Sequence, residues 1–593
     1  MKSILFSLTL VFTALACFAQ DYYGNNRKQW LQKAEQYKPK LIITEKKPLK
    51  VVDIVPDTQS FQKYKAVDVS PIDSLYSMPF RLKKEITIDF GEHLTGYFSF
   101  SVRSTGLAAD GPLRFKLTFG EVPSEVAVPF DSYKEGLSRA WLQDEVVSVM
   151  YVPQTVTLSR RLAFRYVKIE LLGSSPYYDF NIHDMKCMAQ TSAKNIPEEL
   201  PQAVDPMIRK IDRVGLNTLK ECMQTVYEDG PKRDQRLWIG DLYLEALGNN
   251  YSYKQHDLTK RCLYLLAGLS DLNGYLLATV IENPVPRAQD KQFLYEYALL
   301  YNVTLKDYLE ATGDMETVKD LWPVAKKQLD IVRTNVKADG LMDFEKVKKD
   351  WWVFFDWKED LYKEAPLQGV SIFALKESYK LAQLLGKEKE VADLPALTNK
   401  MIKAARKNLY NRKTGLFVGT GDKQISYASQ IWMILSGVAS KAEGKKALSA
   451  LDTTQNVCYP GTPYMYHYYI QSLIDCGMNL EAKEALINYW GGMIAKGADT
   501  FWEAYDPTND FISPYDFYPI NSYCHAWSCT PVYFIRKYPA FAGKLSESNY
   551  FIYKEIPIKR GRGNPAGNGY PRSERQFYRK YANEYGIDSP PNP

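Results

Sequence analysis

Near residue 200 the hydrophobic period of this chain changes from two to about 3.6, and that change bounds the folds open to it. Before it, apolar and polar residues alternate in Glu85-Ile86-Thr87-Ile88-Asp89-Phe90, Tyr97-Phe98-Ser99-Phe100-Ser101-Val102 and Phe164-Arg165-Tyr166-Val167-Lys168-Ile169-Glu170-Leu171. Alternation places one set of side chains on one face of a strand. Gly and Asp-Gly turns separate the runs, as in a sheet with one buried face. The pattern predicts a β-sandwich over 45–195. Beyond residue 200, apolar spacing predicts about twelve helices. They begin near Asp205, Asp241, His256, Gln289, Met315, Pro366, Lys389, Ile425, Lys441, Thr462, Leu480 and Ser522. About 340 residues in twelve helices make six hairpins of roughly 57 residues each. No motif recurs at a fixed period, which argues against a solenoid. Six hairpins closed in a ring form an (α/α)6 barrel, predicted over 200–542.

The two ends read differently. Lys2 precedes an apolar run over residues 4–18 that is too short to span a bilayer, and Ala19 follows. This predicts a secretory signal peptide, residues 1–19, and a periplasmic or secreted protein. Cys17 behind Ala-Leu-Ala offers a lipoprotein signal as the alternative. No later segment predicts a membrane span. The tail, 543–593, holds Lys559-Arg560-Gly561-Arg562 and ends Ser589-Pro590-Pro591-Asn592-Pro593. That composition predicts a basic, Tyr-rich segment of loop.

Composition removes several function classes. The formal charge of +6 is small for 593 residues, and no basic stripe precedes the tail. Nucleic acid is therefore not an expected partner. Of the eight cysteines, none has the paired spacing of a zinc site. Cys187, Cys222, Cys262 and Cys476 lie among apolar neighbours and read as small buried hydrophobes. Cys524 and Cys529 flank a candidate site, where a bridge between them is open.

Four segments could carry chemistry. Glu228-Asp229-Gly230-Pro231-Lys232-Arg233-Asp234-Gln235-Arg236-Leu237-Trp238-Ile239-Gly240-Asp241 packs acids, arginines and a tryptophan on one loop. Carboxylates accept from sugar hydroxyls, arginines donate, and an indole stacks on a sugar face; a salt-bridged surface loop has the same composition. In Thr500-Phe501-Trp502-Glu503-Ala504-Tyr505, an acid lies between aromatics, where desolvation raises a carboxyl pKa. Asn521-Ser522-Tyr523-Cys524-His525-Ala526-Trp527 puts a histidine beside aromatics. Asp350-Trp351-Trp352-Val353-Phe354-Phe355-Asp356-Trp357-Lys358-Glu359-Asp360 suits a carbohydrate subsite, and equally a loop with an apolar underside.

Together these segments resemble the family-78 glycoside hydrolases, the bacterial α-L-rhamnosidases. The family's Asp-Cys-Pro-Gln-Arg-Asp-Glu-Arg-Leu-Gly-Trp-x-Gly-Asp is similar to the run from Asp229 to Asp241, with one residue missing. Its Gly-Ala-x-Thr-x-Trp-Glu is similar to Gly497 through Glu503, its Ser-x-x-His to Ser522 through His525, and its Asp-Trp to Asp356-Trp357. Order and rough spacing agree over about half the chain.

The resemblance implies an inverting hydrolase that removes a terminal α-L-rhamnose or related sugar from an oligosaccharide or polysaccharide, with no cofactor or metal. Inversion needs an acid and a base roughly 6.5–9.5 Å apart. Glu503 matches the family's base. Gln235 stands where the family has its general-acid Glu, and an amide cannot donate that proton. Asp229 is the expected acid, with Asp234, Glu296 and Asp356 as alternatives. Arg233, Trp238, Asp241, Trp357 and His525 are expected to hold the sugar, with Asp234, Gln235, Asp356 and Trp502 beside them. The rival reading is a non-catalytic sugar-binding protein on the same scaffold.

Overall fold

The computed structural model describes residues 21–134 and 137–542. The predicted signal peptide and the predicted tail lie outside the described residues.

The first domain is built on one 21-residue strand, Glu85–Thr105. Its first half pairs with Leu162–Gly173 and with Lys50–Pro56. Its second half pairs with Asp179–Thr191 and Gln154–Thr157. A register break between Asp89 and Leu94 separates the halves, so the strand serves two layers of one connected nine-stranded antiparallel sheet. Alternate residues fill the space between the layers: Ile86, Ile88 and Phe90, then Phe98, Phe100 and Val102. Phe115 bridges the layers, its ring 5.8 Å from both Phe100 and Phe180. The two-layer sheet is the predicted sandwich.

The second domain is a six-hairpin helical barrel. Its inner ring runs through Ile239–Asn250, Tyr295–Thr312, Glu364–Leu385, Tyr427–Leu435 and Pro463–Asp475, and closes through Ala526–Cys529 and Pro531–Lys537. The outer ring consists of His256–Gly268, Met315–Asn335, Leu394–Asn408, Lys441–Leu451, Asn479–Ala495 and Pro206–Cys222. Every residue from Ile239 to Asn249 is buried, as expected of a helix enclosed on all sides. Three outer helices, Pro206–Cys222, Met315–Asn335 and Lys441–Leu451, carry a side-chain N-cap. Pro206 occupies the first turn of its helix, and the Asp205 carboxylate accepts from Met207 N at 2.8 Å, satisfying an orphan amide.

Three helix predictions shift, each for a local reason. The helix expected near Gln289 starts at Tyr295, because Thr279–Ile281 and Arg287–Ala288 form a ribbon with Arg236–Trp238. Gln289 belongs to that ribbon, and its Oε1 accepts from Arg236 Nη1 at 2.8 Å. Near Ser522 the chain stays irregular until Ala526, since Ser522 N and Tyr523 N are bonded to carboxylates. Near Lys389 a 3-10 turn, Glu388–Val391, precedes the helix that starts at Leu394. Besides short turns of helix of four or five residues, two helices are additions among the described residues: Phe344–Asp350, and Asn26–Gln36, which docks on the barrel through Trp30 and Ala34.

Gly240 leaves room for the Tyr297 ring of the neighbouring inner helix. A Cβ placed there would lie 2.2 Å from Cε1 of Tyr297. Overpacking a rigid ring typically costs about 1–3 kcal/mol. Gly240→Ala is therefore expected to lower the melting temperature in thermal denaturation; an unchanged midpoint would show that the Tyr297 ring can move aside freely.

Candidate active site

A cleft opens at the N-terminal ends of the inner helices. Asp229, Arg233, Asp234, Trp238, Asp241, Trp357, Glu503 and His525 line it. Sequence order is thus scattered, but one mouth collects these side chains.

The loop carrying Asp229 is tied by its own carboxylate. Oδ1 accepts from Arg236 N and Oδ2 from Asp234 N, each at 3.1 Å. Gly230 is required within it, because a Cβ would sit 2.4 Å from Arg233 O. Burial and the nearby Asp234 push the Asp229 carboxyl up to about 8, and the two backbone amides only partly offset them. Desolvation outweighs the two amides, which favours the protonated form of this carboxyl.

Glu503 is equally buried and has the opposite character. Oε1 accepts from Tyr515 OH at 2.6 Å, and Oε2 from Ser522 N at 3.1 Å and from the Arg233 guanidinium. Burial alone would raise its pKa, but Arg233, His525 and these donors hold it below the ordinary glutamate value. Arg233 is fixed in turn: its Nε donates to Ile520 O at 3.1 Å, and its guanidinium lies 4.3 Å from the Tyr515 ring centre.

Trp357 Nε1 is buried without a partner among the described residues, and so are two further cleft atoms, Asp241 Oδ1 and His525 Nδ1. The last two face each other at 3.8 Å. Burial pushes His525 down to about 4, against the attraction of Glu503. Burial, together with Asp229, pushes Asp241 well above the ordinary carboxyl value. A neutral imidazole and an unmet carboxyl oxygen are ready for hydroxyl groups. Among the described residues no group of three or more His, Cys, Asp or Glu side chains is arranged to hold a metal ion.

An aromatic wall completes the cleft. Phe354 lies 4.9 Å from Trp357 and 6.0 Å from Trp527, and Trp352 lies 6.0 Å from Trp357. Glu296 holds this wall from behind, its Oε1 accepting from Phe354 N and Phe355 N at 3.0 Å each. Tyr297 and Tyr515, both cleft residues, escape sequence reasoning. Tyr297 sits in a helix buried along most of its length, and Tyr515 in a turn of unremarkable composition. Only their positions across the ring assign them.

Three expected residues are elsewhere. Asp356 is buried behind the cleft, its carboxylate accepting from Gly461 N and Thr462 Oγ1 at 2.6 Å each. Trp502 stacks on Phe61 at 4.2 Å; extended neighbours alternate, so Glu503 facing inward turns Trp502 outward. Gln235 has φ of +59 and spends its amide on Pro231 O at 2.8 Å. Glu296 and Asp356, two of the alternative acids, thus do not line the cleft, whereas Asp234 does. Cys524 and Cys529 are both free thiols; Cys524 Sγ lies 4.0 Å from Cys222 Sγ instead. No helix among the described residues is long and apolar enough to cross a membrane.

Comparison with known proteins agrees with this geometry. Residues 48–189 match the glycosyl hydrolase family 78 alpha-rhamnosidase N-terminal domain, and residues 202–538 match the bacterial alpha-L-rhamnosidase six-hairpin glycosidase domain. The structure is similar to that of a rhamnosidase from Klebsiella oxytoca with rhamnose bound, at 38% identity and a TM-score of 0.83, over 86% of this chain and 99% of that one. A family-78 rhamnosidase of Bacillus sp. GL1 shares the fold at 21% identity and a TM-score of 0.64, over 76% of this chain and 46% of that one. So does an alpha-L-rhamnosidase of Streptomyces avermitilis, complexed with L-rhamnose, at 17% identity and a TM-score of 0.60, over 84% of this chain and 44% of that one. No curated protein sequence matches the chain. With a sheet domain, a six-hairpin barrel and a carboxyl-lined cleft in the family's order, this chain belongs to the family-78 glycoside hydrolases, the bacterial α-L-rhamnosidase family.

Proposed function

We propose that this glycoside hydrolase removes a terminal α-L-rhamnose, or a closely related sugar, from a larger glycan with inversion. The observation that carries the reading is the opposed titration of two buried carboxyls in one cleft: Asp229 is pushed up to about 8 and Glu503 is held below its ordinary value. Such a pair divides acid from base at neutral pH. Asp229 protonates the departing glycosidic oxygen. Glu503 takes a proton from the water that attacks the anomeric carbon from the opposite face. Asp241 Oδ1 and His525 Nδ1, otherwise unpartnered, accept or orient sugar hydroxyls. Trp352 is 41% exposed, while most other lining residues are buried. It marks the mouth, so the terminal sugar enters first and the leaving group stays outside. The sugar-binder reading rested on Gln235, and that side chain is bonded to Pro231 O rather than facing the cleft. Export follows from the signal-like residues 1–19.

Glu503→Gln is expected to lower turnover by about 100- to 10,000-fold with sugar affinity little changed, the usual range for a lost general base. Steady-state rates and L-rhamnose titration check this, and unchanged turnover would move the base elsewhere. NMR of the first-formed anomer tests inversion.

Asp229→Asn should abolish hydrolysis of glycosides with poor leaving groups and spare activated aryl α-L-rhamnosides in part. In the parent enzyme kcat/KM is expected to fall above about pH 8 as Asp229 deprotonates, and to fall in acid below the ordinary glutamate range as Glu503 protonates. Asp229→Asn removes the alkaline limb; a limb that persists would assign the acid to Asp234. Gln235→Glu should leave aryl-rhamnoside turnover essentially unchanged, and a large gain would show that this position reaches the leaving oxygen.

A further inference from the structure

The catalytic loop does not end in the barrel. The side chain of Lys232, between Pro231 and Arg233, leaves the loop and enters the sheet domain, where it is only 2% exposed. Its ammonium lies 2.5 Å from Glu125 Oε1 and 3.0 Å from Glu121 Oε2. The Tyr523 ring centre is 5.1 Å away and Pro519 O is 3.4 Å away. Glu121 directly follows the strand Leu113–Gly120, and Glu125 lies in the short helix Pro123–Ala127. The other oxygen of Glu125 accepts from Glu121 N at 2.6 Å and Val122 N at 3.1 Å. These two amides hold one side of the carboxylate, while burial and the like charge of Glu121 push it up to about 7 against the pull of Lys232.

The contact continues as a chain of alternating charge. Glu121 Oε1 meets His93 Nε2 at 3.0 Å, His93 Nδ1 lies 3.6 Å from Glu221 Oε2, and Glu221 Oε1 lies 3.3 Å from Lys220 Nζ. Burial opposes charge on His93, yet its carboxylate neighbours hold it well above the ordinary imidazole value. Burial likewise opposes charge on Glu121, yet Lys232 and His93 hold it low. Three members come from the sheet domain and three from the barrel. The network is buried except at Lys220, its partly exposed end, and a network of this kind is costly to assemble and contributes specificity of arrangement more readily than stability.

What it arranges is the base. Arg233, next to Lys232, grips Glu503. Ser522 donates its hydroxyl to Arg233 O at 2.8 Å and its amide to Glu503 Oε2 at 3.1 Å, while its neighbour Tyr523 donates its amide to Glu121 Oε2 at 2.7 Å. Both strands of chain that hold Glu503 are therefore anchored on the same sheet-domain carboxylate. We propose that Lys232, clamped by Glu121 and Glu125, is a positioning residue that makes the sheet domain part of the active site by setting where Arg233 meets Glu503. This rests on Glu503 being the base.

Three variants test it in the full-length chain: Lys232→Met, Lys232→Arg and Glu125→Gln. A geometric error of about 1 Å at a reacting group costs about 100-fold in rate. With p-nitrophenyl α-L-rhamnoside, Lys232→Met and Glu125→Gln should lose between about 10- and 100-fold in kcat. L-Rhamnose affinity, followed by tryptophan fluorescence, should stay within about twofold, since that subsite is untouched. The acid limb of the kcat/KM profile should move to higher pH as Arg233 loosens from Glu503, while Tyr515 and His525 remain in place. Lys232→Arg should restore most of the rate. Lys232→Met strands two buried carboxylates; if it does not fold, Glu125→Gln, which keeps the Lys232–Glu121 pair, carries the test. Folded variants with the parent's kcat and acid limb would overturn the proposal. So would a rate loss with an unmoved acid limb, which is what loss of stability alone produces. If instead Glu503→Gln retains full turnover, the assignment of the base has failed, and this proposal falls with it.

Discussion

One carboxylate, Glu503, is kept charged inside this protein, and the arrangement of the site follows from that. Glu503 is 2% exposed. An unpaired charge so placed would simply take up a proton. Arg233, Tyr515 and the Ser522 amide prevent this by supplying a countercharge and directed donors. Each of them needs support of its own, because a partner that can swing away does not hold a pKa. Arg233 is therefore bonded to Ile520 O and packed on Tyr515, while Ser522 is bonded back to Arg233 O. The charge on one residue thus organises loop segments from two distant parts of the chain.

Asp229 shows the converse. It accepts two backbone hydrogen bonds, which favour its ionised form, yet burial and Asp234 dominate. The two carboxyls differ not in burial but in the presence of a cation: Arg233 donates directly to Glu503, and its influence on Asp229 is minor. A single guanidinium aimed at one of two acids is enough to separate their protonation states. The aromatic wall works on the same principle from the other side. Phe354, Trp357 and Trp527 exclude water and so keep the local dielectric low, which strengthens the ion pair at the floor.

Much of this was legible before any tertiary structure. The change of period near residue 200 is a local property and correctly separates a sheet domain from a helical one. Asp229, Glu503 and His525 stand out as polar residues among aromatics, and all three line the cleft. Trp502 stands out equally well and does not, because the alternation that turns Glu503 inward turns its neighbour onto Phe61. Asp356 and Glu296 read as candidate acids, but their carboxylates are consumed by backbone amides that stiffen loops. A charged residue that ties a loop and one that faces a ligand have the same local composition.

By itself the sequence determined the architecture, the family and the short stretches from which the chemistry is drawn, because periodicity, turn chemistry and linear motifs are carried by neighbours along the chain. Only the tertiary structure decided which carboxyl is paired with a cation, which aromatics face the cleft, and that Lys232 reaches into the sheet domain. Those depend on desolvation and on distances between residues hundreds of positions apart. Lys232 and Glu125 are separated by 107 positions and Arg233 and Glu503 by 270. Both contacts form only when the ring of helices closes and the sheet packs against its mouth.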